Sequence, residues 1–306
     1  MTTKINLLQS PAAIFPGKKH RGKNILKQYF PKRHTFTCSM NLGKHLLLTL
    51  QAQHGIKDVI LMDSIKNRRT IRRYSSRAID PQLLDDMLGT ACRASTMGGM
   101  QLYSIIVTED ADMKAKLAPM HFNQPMVTQA PIVLTFCADL NRATHWCKLN
   151  RATPGFDNFE MFFNATIDAL LVAQTFCTIA EENGLGICYL GTTTYEPGQI
   201  VQTLHLPRLV MPVATVTVGY PDECPAQTDR LPLDGVVHRE TYKQYSDEDI
   251  RRIYAIKESL PENREFVAIN HKETLAQVFT DLRYTKSDNE AFSAKLIATL
   301  RQQGLI

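Results

Sequence analysis

An apolar segment at residues 159–182 decides how the rest of this chain must fold. It reads FEMFFNATIDALLVAQTFCTIAEE, and Asn183 and Gly184 follow it. Its length and its termination at a glycine predict one long α-helix, and its apolar side chains point nearly all round that helix. Such a helix forms either the hub of a hydrophobic core or the interface between two subunits.

Three further apolar runs predict buried strands, because they are rich in β-branched and aromatic residues and are bounded by turn residues or proline. They are Tyr103 to Thr108, Ile132 to Ala138 and Val213 to Tyr220. Upstream of them, Asp80 and Pro81 open an amphipathic helix that ends near Ala94.

The chain divides into three parts by composition. Residues 1–61 hold ten Lys or Arg and a single acid, Asp58, and they show no sustained apolar period. We interpret them as a basic leader that is disordered or arises from the choice of start site, with an organelle transit peptide as the alternative. Residues 62–245 form the organised domain, and residues 246–306 form a charged helical extension.

The composition excludes several classes of protein. The 306 residues are 44% hydrophobic and 21% charged, which is ordinary for a globular protein. The net charge of +5 comes from residues 1–61, which lack an RNA-binding motif and zinc spacing, so we expect no nucleic-acid partner. The seven cysteines form no C-x-x-C pair and no disulfide framework. The apolar stretch at 46–50 is too short for a membrane span, and we expect a cytoplasmic protein without membrane association.

The first candidate binding segment is the basic run Arg68-Arg69-Thr70-Ile71-Arg72, which lies shortly before the helix that begins at Asp80. Guanidinium groups stay charged and donate hydrogen bonds in a planar fork, so they suit phosphate groups and the carbonyls of a flavin ring. Taken alone, such a cluster is also typical of a solvated protein surface.

The second segment is the loop Ser95-Thr96-Met97-Gly98-Gly99-Met100-Gln101, between a helix and a strand. Its small residues let backbone N–H groups approach a ligand closely. An ordinary connection between a helix and a strand has the same composition.

The third segment pairs two stretches, Gly184-Leu185-Gly186-Ile187-Cys188-Tyr189-Leu190-Gly191 and Asp229-Arg230-Leu231-Pro232-Leu233. The glycines do not form a dinucleotide-binding fingerprint, because the third glycine, the preceding strand and the downstream acid are missing. Taken alone, Gly184 is explained as the C-terminal cap of the long helix.

In this combination and order, the segments resemble the FMN-dependent nitroreductase family over residues 62 to about 245. The pattern comprises the Arg-Arg-(Ser/Thr)-x-Arg start, the small loop that ends in Gln, Gly-Leu-Gly followed by Leu-Gly, a strand that closes in Gly-Tyr-Pro, and Arg-Leu-Pro followed by Val236-Val237-His238. The resemblance implies an α+β fold with a central antiparallel sheet flanked by helices. It also implies an intertwined homodimer with FMN at the subunit interface.

The resemblance also assigns residues to the cofactor site. Arg68, Arg69 and Thr70 would meet the phosphate, the ribityl chain and the ring edge of FMN, and Arg72 would reach the N1/O2 side of the ring. Arg230 would bind the phosphate. The remaining positions are Leu190 and Gly191, whose backbone would lie near N5, Thr96 and Met97, which would lie along the flavin from the second subunit, and Gly99 and Gln101 of the same loop.

Two positions depart from the family pattern. The family usually has Asn where this chain has Gly99, which puts one side-chain contact with the flavin in doubt. A basic residue two positions before Arg230 is also common, and here that residue is Thr228. Phosphate binding would then depend more on Arg68 and Arg72.

The function that the resemblance implies is an FMN-dependent oxidoreductase that passes electron pairs from NADH or NADPH to a nitroaromatic, quinone or flavin acceptor. The flavin carries the redox chemistry, so no metal or nucleophile is needed, and the histidines at 121, 145, 205 and 238 are interpreted as surface or core residues. Two alternatives stay open. One is an FMN-binding sensor or carrier without reductase turnover, and the other is a protein without flavin that acts through its basic leader and charged tail.

Two segments outside these motifs carry further predictions. Residues 141–158 form an irregular insert, in which Trp146 and Phe156 cover the flavin face as a lid, or Trp146 merely packs under its loop. The tail wraps a surface or a partner subunit, and its predicted helices lie at 247–258, 272–282 and 289–303.

Overall fold

The computed structural model describes residues 63–306. The basic leader at 1–61 lies outside the described residues, so its interpretation stays a prediction. The domain boundary near residue 245 likewise stays a prediction.

A four-stranded antiparallel sheet forms the centre of the described structure. Its strands are β1 Tyr103–Thr108, β2 Ile132–Asp139, β3 Gly186–Leu190 and β4 Val210–Gly219, in the order β1-β2-β4-β3. The α+β class, the antiparallel sheet and the three predicted strands are confirmed. β3 is a fourth strand that the sequence pattern misses, because its five residues begin with a glycine inside a glycine-rich motif.

The helices of the described residues are α1 Asp63–Lys66, α2 Pro81–Ala91, α3 Ala111–Leu117, α4 Pro125–Gln129, α5 Asn141–Leu149, α6 Phe159–Glu182, α7 Pro197–Thr203, α8 Asp247–Ser259, α9 Pro261–Ile269, α10 Leu275–Val278 and α11 Lys286–Gln303. Helix α2 begins as predicted, because the Asp80 carboxylate accepts a hydrogen bond from the Leu83 N–H at 3.1 Å and Pro81 occupies the first turn. It ends at Ala91, three residues before the predicted end.

Helix α6 has the predicted bounds and is the hub of the core. The Asn158 side chain caps its first turn by accepting a hydrogen bond from the Met161 N–H at 3.1 Å. One face packs against α2, β2 and β4, and its buried apolar side chains are Phe162, Ala165, Ala169, Val172, Ala173, Phe176, Cys177 and Ala180. Burial of a large side chain such as Phe176 contributes about 1.5–3 kcal/mol to stability.

The opposite face of α6 is apolar and exposed. Its large side chains are between 39 and 57% exposed, and they are Phe159, Phe163, Ile167, Leu170 and Leu171. Within residues 63–306, α6 alone is long and apolar enough to cross a membrane, with a mean hydropathy of 1.4. Its packing on the sheet is that of a core helix, and a continuous exposed apolar face marks an interaction surface.

The prediction of an irregular insert is wrong for the first half of residues 141–158. Helix α5 forms there, and its only buried side chains are the small ones of Ala143 and Thr144. The sequence therefore has no strong apolar period from which this helix could be predicted. Trp146 is 62% exposed and therefore does not pack under its loop. Phe156 packs against the core. The lid over the flavin stays a prediction.

The tail is helical, as predicted, with different boundaries. Helix α8 begins at a capping box, in which Ser246 and Asp249 exchange backbone-to-side-chain hydrogen bonds of 3.1 Å. The predicted helix at 272–282 is instead α10 followed by a π-helical turn, Phe279–Arg283. Helix α9 is not predicted, and it buries none of its residues. Helix α11 packs on α7 and β4 of the same chain, so the tail covers part of its own subunit.

Candidate functional site

The arginine segment lies against β3. Thr70 forms a parallel bridge with Ile187, and the Ile71 N–H donates to the Ile187 carbonyl at 3.0 Å. Gly186 makes this approach possible, because a Cβ at that position would lie 2.6 Å from the Cβ of Ile71. The glycine motif therefore serves the close packing of the first and third predicted segments.

Arg68 and Arg69 line a cavity of about 370 Å³ beside the end of α6. The Arg68 Nε lies 3.4 Å from a carboxylate oxygen of Glu181; burial raises the pKa of Glu181, and Arg68 opposes that rise. Arg69 donates to the Asn67 carbonyl at 3.2 Å, but its Nε is buried and has no hydrogen-bond partner within residues 63–306. A buried N–H without a partner is costly. The cavity is lined by these two arginines together with Glu181 and Glu223, and the arginines supply its charged donors for a ligand that brings acceptor oxygens.

Arg72 is fixed from its backbone side by Glu223, a contact that the sequence does not predict. The Glu223 carboxylate accepts hydrogen bonds from the backbone N–H groups of Arg72 at 2.5 Å and Arg73 at 3.0 Å, and these bonds lower its pKa. The Arg72 side chain lies beside the Cys188 thiol of β3. Burial raises the pKa of that thiol while Arg72 opposes the rise, so the thiol is neutral at neutral pH.

The loop that carries Arg230 is tied to the arginine segment. The Gln227 amide donates to the carbonyls of Lys66 at 2.6 Å and Arg68 at 3.4 Å. The Arg230 side chain is exposed and donates to the Thr228 hydroxyl at 2.8 Å. Gln227 therefore ties this loop to the arginine segment, and Arg230, three residues further on, donates within its own loop to Thr228 and to the Asp229 carbonyl. Thr228 adds no charge.

Strand β3 leads directly into a 3-10 turn, Gly191–Thr194. Leu190 is buried, whereas Gly191 is exposed and a Cβ added there would meet nothing within 4 Å. The Thr193 hydroxyl closes the turn by donating to the Leu190 carbonyl at 3.0 Å. The backbone of Gly191 thus borders open space at the end of β3 toward which the arginine segment runs.

A buried carboxylate holds the small-residue loop 95–101. Asp168 of α6 is 3% exposed and accepts hydrogen bonds from the Thr96 hydroxyl at 2.5 Å and from the N–H groups of Met97 and Leu102 at 3.0 and 3.2 Å. Three donors stabilise the buried charge. The sequence carries a signal for this residue, since Asp168 is the single acid between Glu160 and Glu181 in the apolar segment of α6.

The backbone of this loop explains why glycine is accepted at position 99. Gly99 has a φ of +70°, in the left-handed region that glycine and asparagine both adopt. The usual Asn of the family pattern and this Gly therefore meet the same backbone requirement, and only a side chain is lost. Gln101 is engaged within its own chain, because its amide donates to the Tyr103 hydroxyl at 3.0 Å.

The predicted site residues fall into two groups that lie far apart in one chain. Arg68 contacts Glu181 near the end of α6, whereas Thr96 contacts Asp168, thirteen residues earlier on the same helix. At 1.5 Å per residue, this separation is about 20 Å. The strands next to the two groups, β1 and β3, are opposite edges of the sheet. One chain therefore sets Arg68, Arg69, Thr70 and Arg72 beside β3, which ends at Leu190, directly before Gly191, and it holds Thr96, Met97, Gly99 and Gln101 elsewhere. Arg230 lies three residues beyond Gln227, which contacts the Arg68 carbonyl.

Most of the described chain is similar to known proteins. Residues 65–220 match the sequence profile of the Nitroreductase family. A protein of Bacillus subtilis (strain 168) named FMN reductase (NADPH) is 34% identical over 189 residues, which span 61% of this chain and 76% of that protein. The profile match contains every predicted cofactor residue except Arg230, which lies ten residues beyond it.

Solved structures share the fold. A structure from Bacteroides fragilis NCTC 9343 is 62% identical, with a TM-score of 0.79, and the match covers 79% of this chain and 99% of that one. The structure of the NfrA1 nitroreductase from B. subtilis is 28% identical, with a TM-score of 0.71, over 79% of this chain and 98% of that one. The antiparallel sheet and its flanking helices are therefore common to these proteins.

Proposed function

The chain belongs to the nitroreductase family, and from that premise we propose that it is an FMN oxidoreductase that takes electron pairs from NADPH or NADH and delivers them to a small-molecule acceptor. The observation that carries this proposal is the cavity lined by Arg68 and Arg69 beside β3. Phosphate and flavin carbonyl oxygens are the acceptors that such donors require. The similar B. subtilis protein is named for FMN reduction with NADPH.

The chain's own residues bind and orient the cofactor. FMN supplies the redox chemistry when bound, by accepting a hydride from the nicotinamide and passing the electron pair on. Arg68, Arg69 and Thr70 would hold its phosphate, ribityl chain and ring edge, and Arg72 would reach the N1/O2 side. Arg230, oriented by its 2.8 Å hydrogen bond to Thr228, adds a second guanidinium to the phosphate.

The end of β3 presents backbone to the reactive edge of the ring. Leu190 is buried and fixes the strand end, and Gly191 leaves open space in front of its backbone. A side chain at Gly191 would occupy that space. Glycine therefore lets the ring edge near N5 approach the chain closely.

The site is completed by a second copy of the chain. The loop that carries Thr96 and Met97 lies about 20 Å from Arg68 along α6. It precedes β1, at the opposite edge of the sheet from β3 and Gly191, so in one chain the loop and Gly191 would not meet the same flavin ring. The exposed apolar face of α6 needs cover, and a two-fold homodimer supplies it. In that dimer, Thr96 and Met97 of the partner subunit lie along the flavin, and Gly99 and Gln101 shape the same loop.

The acceptor is a nitroaromatic, a quinone or free flavin, because each offers a delocalised ring that takes up an electron pair. We place the protein in the cytoplasm. Within residues 63–306 the cysteines are free thiols, which suits a reducing compartment.

The direct test is flavin binding followed by reduction. The purified protein should bind FMN, and anaerobic NADPH or NADH should bleach the visible absorbance of the bound flavin. Arg69→Met should weaken FMN binding by roughly ten- to a hundredfold, because it removes one of the two arginines that line the cavity. The control is Arg264→Met, an exposed arginine of α9. A bound flavin that stays oxidised with both nucleotides would refute the reductase, and a protein that binds no FMN would refute the cofactor.

A further inference from the structure

His121 is a buried titratable group for which the proposed function has no role. It ends the 3-10 helix Ala118–His121 and is 1% exposed. Burial lowers its pKa to about 4, so the imidazole is neutral at neutral pH. The interpretation of a core histidine is confirmed for this position, yet a buried imidazole also requires hydrogen-bond partners.

The partner of His121 belongs to the turn that contains Gly191. The Nδ1 of His121 lies 2.8 Å from the hydroxyl oxygen of Thr192. Thr192 directly follows Gly191, whose backbone the proposed function places beside N5 of FMN. A buried and uncharged ring therefore contacts the cofactor side of β3 through one hydroxyl group.

Two other hydrogen bonds hold this turn in shape, but both lie within residues 190–195, and neither of them fixes the Thr192 hydroxyl. The Thr193 hydroxyl donates to the Leu190 carbonyl at 3.0 Å, and the Tyr195 N–H donates to the Thr192 carbonyl at 3.0 Å. The Tyr195 ring stacks on Phe292 of α11, with centroids 4.2 Å apart and planes 6° apart. Loss of the His121 contact would therefore shift the start of the turn without unfolding it.

We propose that His121 is a positioning residue for hydride transfer, because through Thr192 it fixes the Gly191–Thr194 turn against the edge of the flavin. This inference rests on the proposed function, which supplies the flavin at Gly191. A neutral ring suits the task, since it orients a hydroxyl without placing a charge beside the ring atom that accepts the hydride. The rate of such a step depends strongly on the relative position of the reacting groups, and a shift of 1 Å can lower it about a hundredfold.

Four variants test the contact. Thr192→Val removes the hydroxyl, keeps the shape of the side chain and is only half-buried, so the fold tolerates it. His121→Leu removes the imidazole, and His121→Asn puts an amide near the position of Nδ1 and so keeps a hydrogen-bonding group. Met126→Leu, a buried residue of the neighbouring core cluster, controls for repacking.

The expected result is a loss of rate without a loss of binding. Stopped-flow reduction by NADPH of the FMN-loaded protein should slow by roughly 5- to 30-fold in Thr192→Val and in His121→Leu, with partial recovery in His121→Asn. FMN affinity and the unfolding midpoint should stay close to those of the Met126→Leu control. The double variant, Thr192→Val with His121→Leu, should be reduced no more slowly than the slower of the two single variants, because the two residues act as one unit.

A second readout needs no flavin. In the apoprotein, nitrogen NMR should show a shift of the His121 ring nitrogens in Thr192→Val but not in Met126→Leu. Three outcomes would overturn the inference: unchanged ring signals, a wild-type rate of reduction in Thr192→Val, or additive losses of rate in the double variant. None of them would contradict the proposed function, provided that the wild type binds FMN and reduces it. A wild-type protein whose bound FMN neither nucleotide reduces would overturn the proposed function, and this inference with it.

Discussion

The carboxylate of Asp168 accepts a hydrogen bond of 2.5 Å from the hydroxyl of Thr96, and this contact joins the middle of α6 to the small-residue loop. The backbone N–H groups of Met97 in this loop and of Leu102, the residue directly after it, donate to the same carboxylate. The glycines of the loop leave its backbone free to adopt many conformations. One buried side chain therefore selects the conformation that is observed.

Replacement of Asp168 by Ala should destabilise the fold and weaken FMN binding. The change leaves three donors without their charged acceptor, which costs at least about 1.5–3 kcal/mol. Asp168→Asn keeps one acceptor oxygen and should lose less. Urea unfolding and FMN titration measure the two effects, with Glu160→Gln, an exposed acid of the same helix, as the control. Equal stability of Asp168→Ala and the control would contradict the role of the carboxylate.

Arg230 tests the assignment of the phosphate-binding loop. Arg230→Ala removes a charge-assisted bidentate contact worth about 1.5–3 kcal/mol, so FMN affinity should fall roughly ten- to a hundredfold while fold and dimer survive. Thr228 supplies no second charge, so the loss should lie near the upper end. Arg230→Lys should recover only part, because a point charge matches two oxygens poorly. The measurement is quenching of FMN fluorescence on the apoproteins, and equal affinity of Arg230→Ala and Arg251→Ala, an exposed arginine of α8, would remove Arg230 from the site.

The exposed apolar face of α6 predicts the oligomeric state. The wild type should be a yellow dimer at micromolar concentration, and Ile167→Glu combined with Leu171→Glu should give a monomer that has lost its flavin, because charges on that face oppose its burial. Light scattering and absorbance measure the two properties. Ile269→Glu, on the exposed side of α9, is the matched control. A monomer that still holds flavin would refute the shared site.

His121 makes stability depend on pH in the acidic range. Burial lowers its pKa from 6.5 to about 4, so between these values the unfolded chain binds a proton that the folded chain does not. The free energy of unfolding should therefore fall as the pH falls through this window, by up to about 1.4 kcal/mol per unit, and should be insensitive to this group above pH 6.5. Urea unfolding at pH 7 and pH 5 should show a loss about 2 kcal/mol larger in the wild type than in His121→Asn. Equal losses of unfolding free energy in the wild type and in His121→Asn would show that His121 is protonated in the folded protein at pH 5.

Removal of residues 1–61 should leave flavin content and reductase activity within about twofold, because that segment carries no apolar pattern that a core would need. The comparison is between the full chain and a chain that starts at Met62. Loss of soluble protein on truncation would show that the leader is structural.

The sequence predicts those elements whose pattern is strong. Helix α6 has its predicted bounds because 24 residues with an N-cap and a terminal glycine leave little choice. Strand β3 and helix α5 are missed for physical reasons. The strand is five residues long and opens with the glycine that packs on Ile71, and the helix buries only two small side chains.

The candidate site shows a similar limit. The resemblance to the nitroreductase family predicts which residues belong to the site. The contacts of these residues with FMN stay predictions. The residues that hold the site in shape are Asp168, Glu223 and Gln227, and their partners lie between 66 and 161 positions away along the chain. No local period or spacing records a contact of that kind, because it exists only after the sheet and α6 have assembled.

The 20 Å between the two groups of site residues on α6 has a genetic consequence. In a two-fold dimer, each flavin would sit between the arginines of one subunit and the loop of the other. If one subunit carried a mutation in its arginines and the other a mutation in its loop, both mutations would affect the same flavin site. A dimer formed from one Arg230→Ala chain and one Asp168→Ala chain would then hold one doubly damaged site and one whole site. Two alleles that are each inactive alone should therefore complement each other when expressed in the same cell.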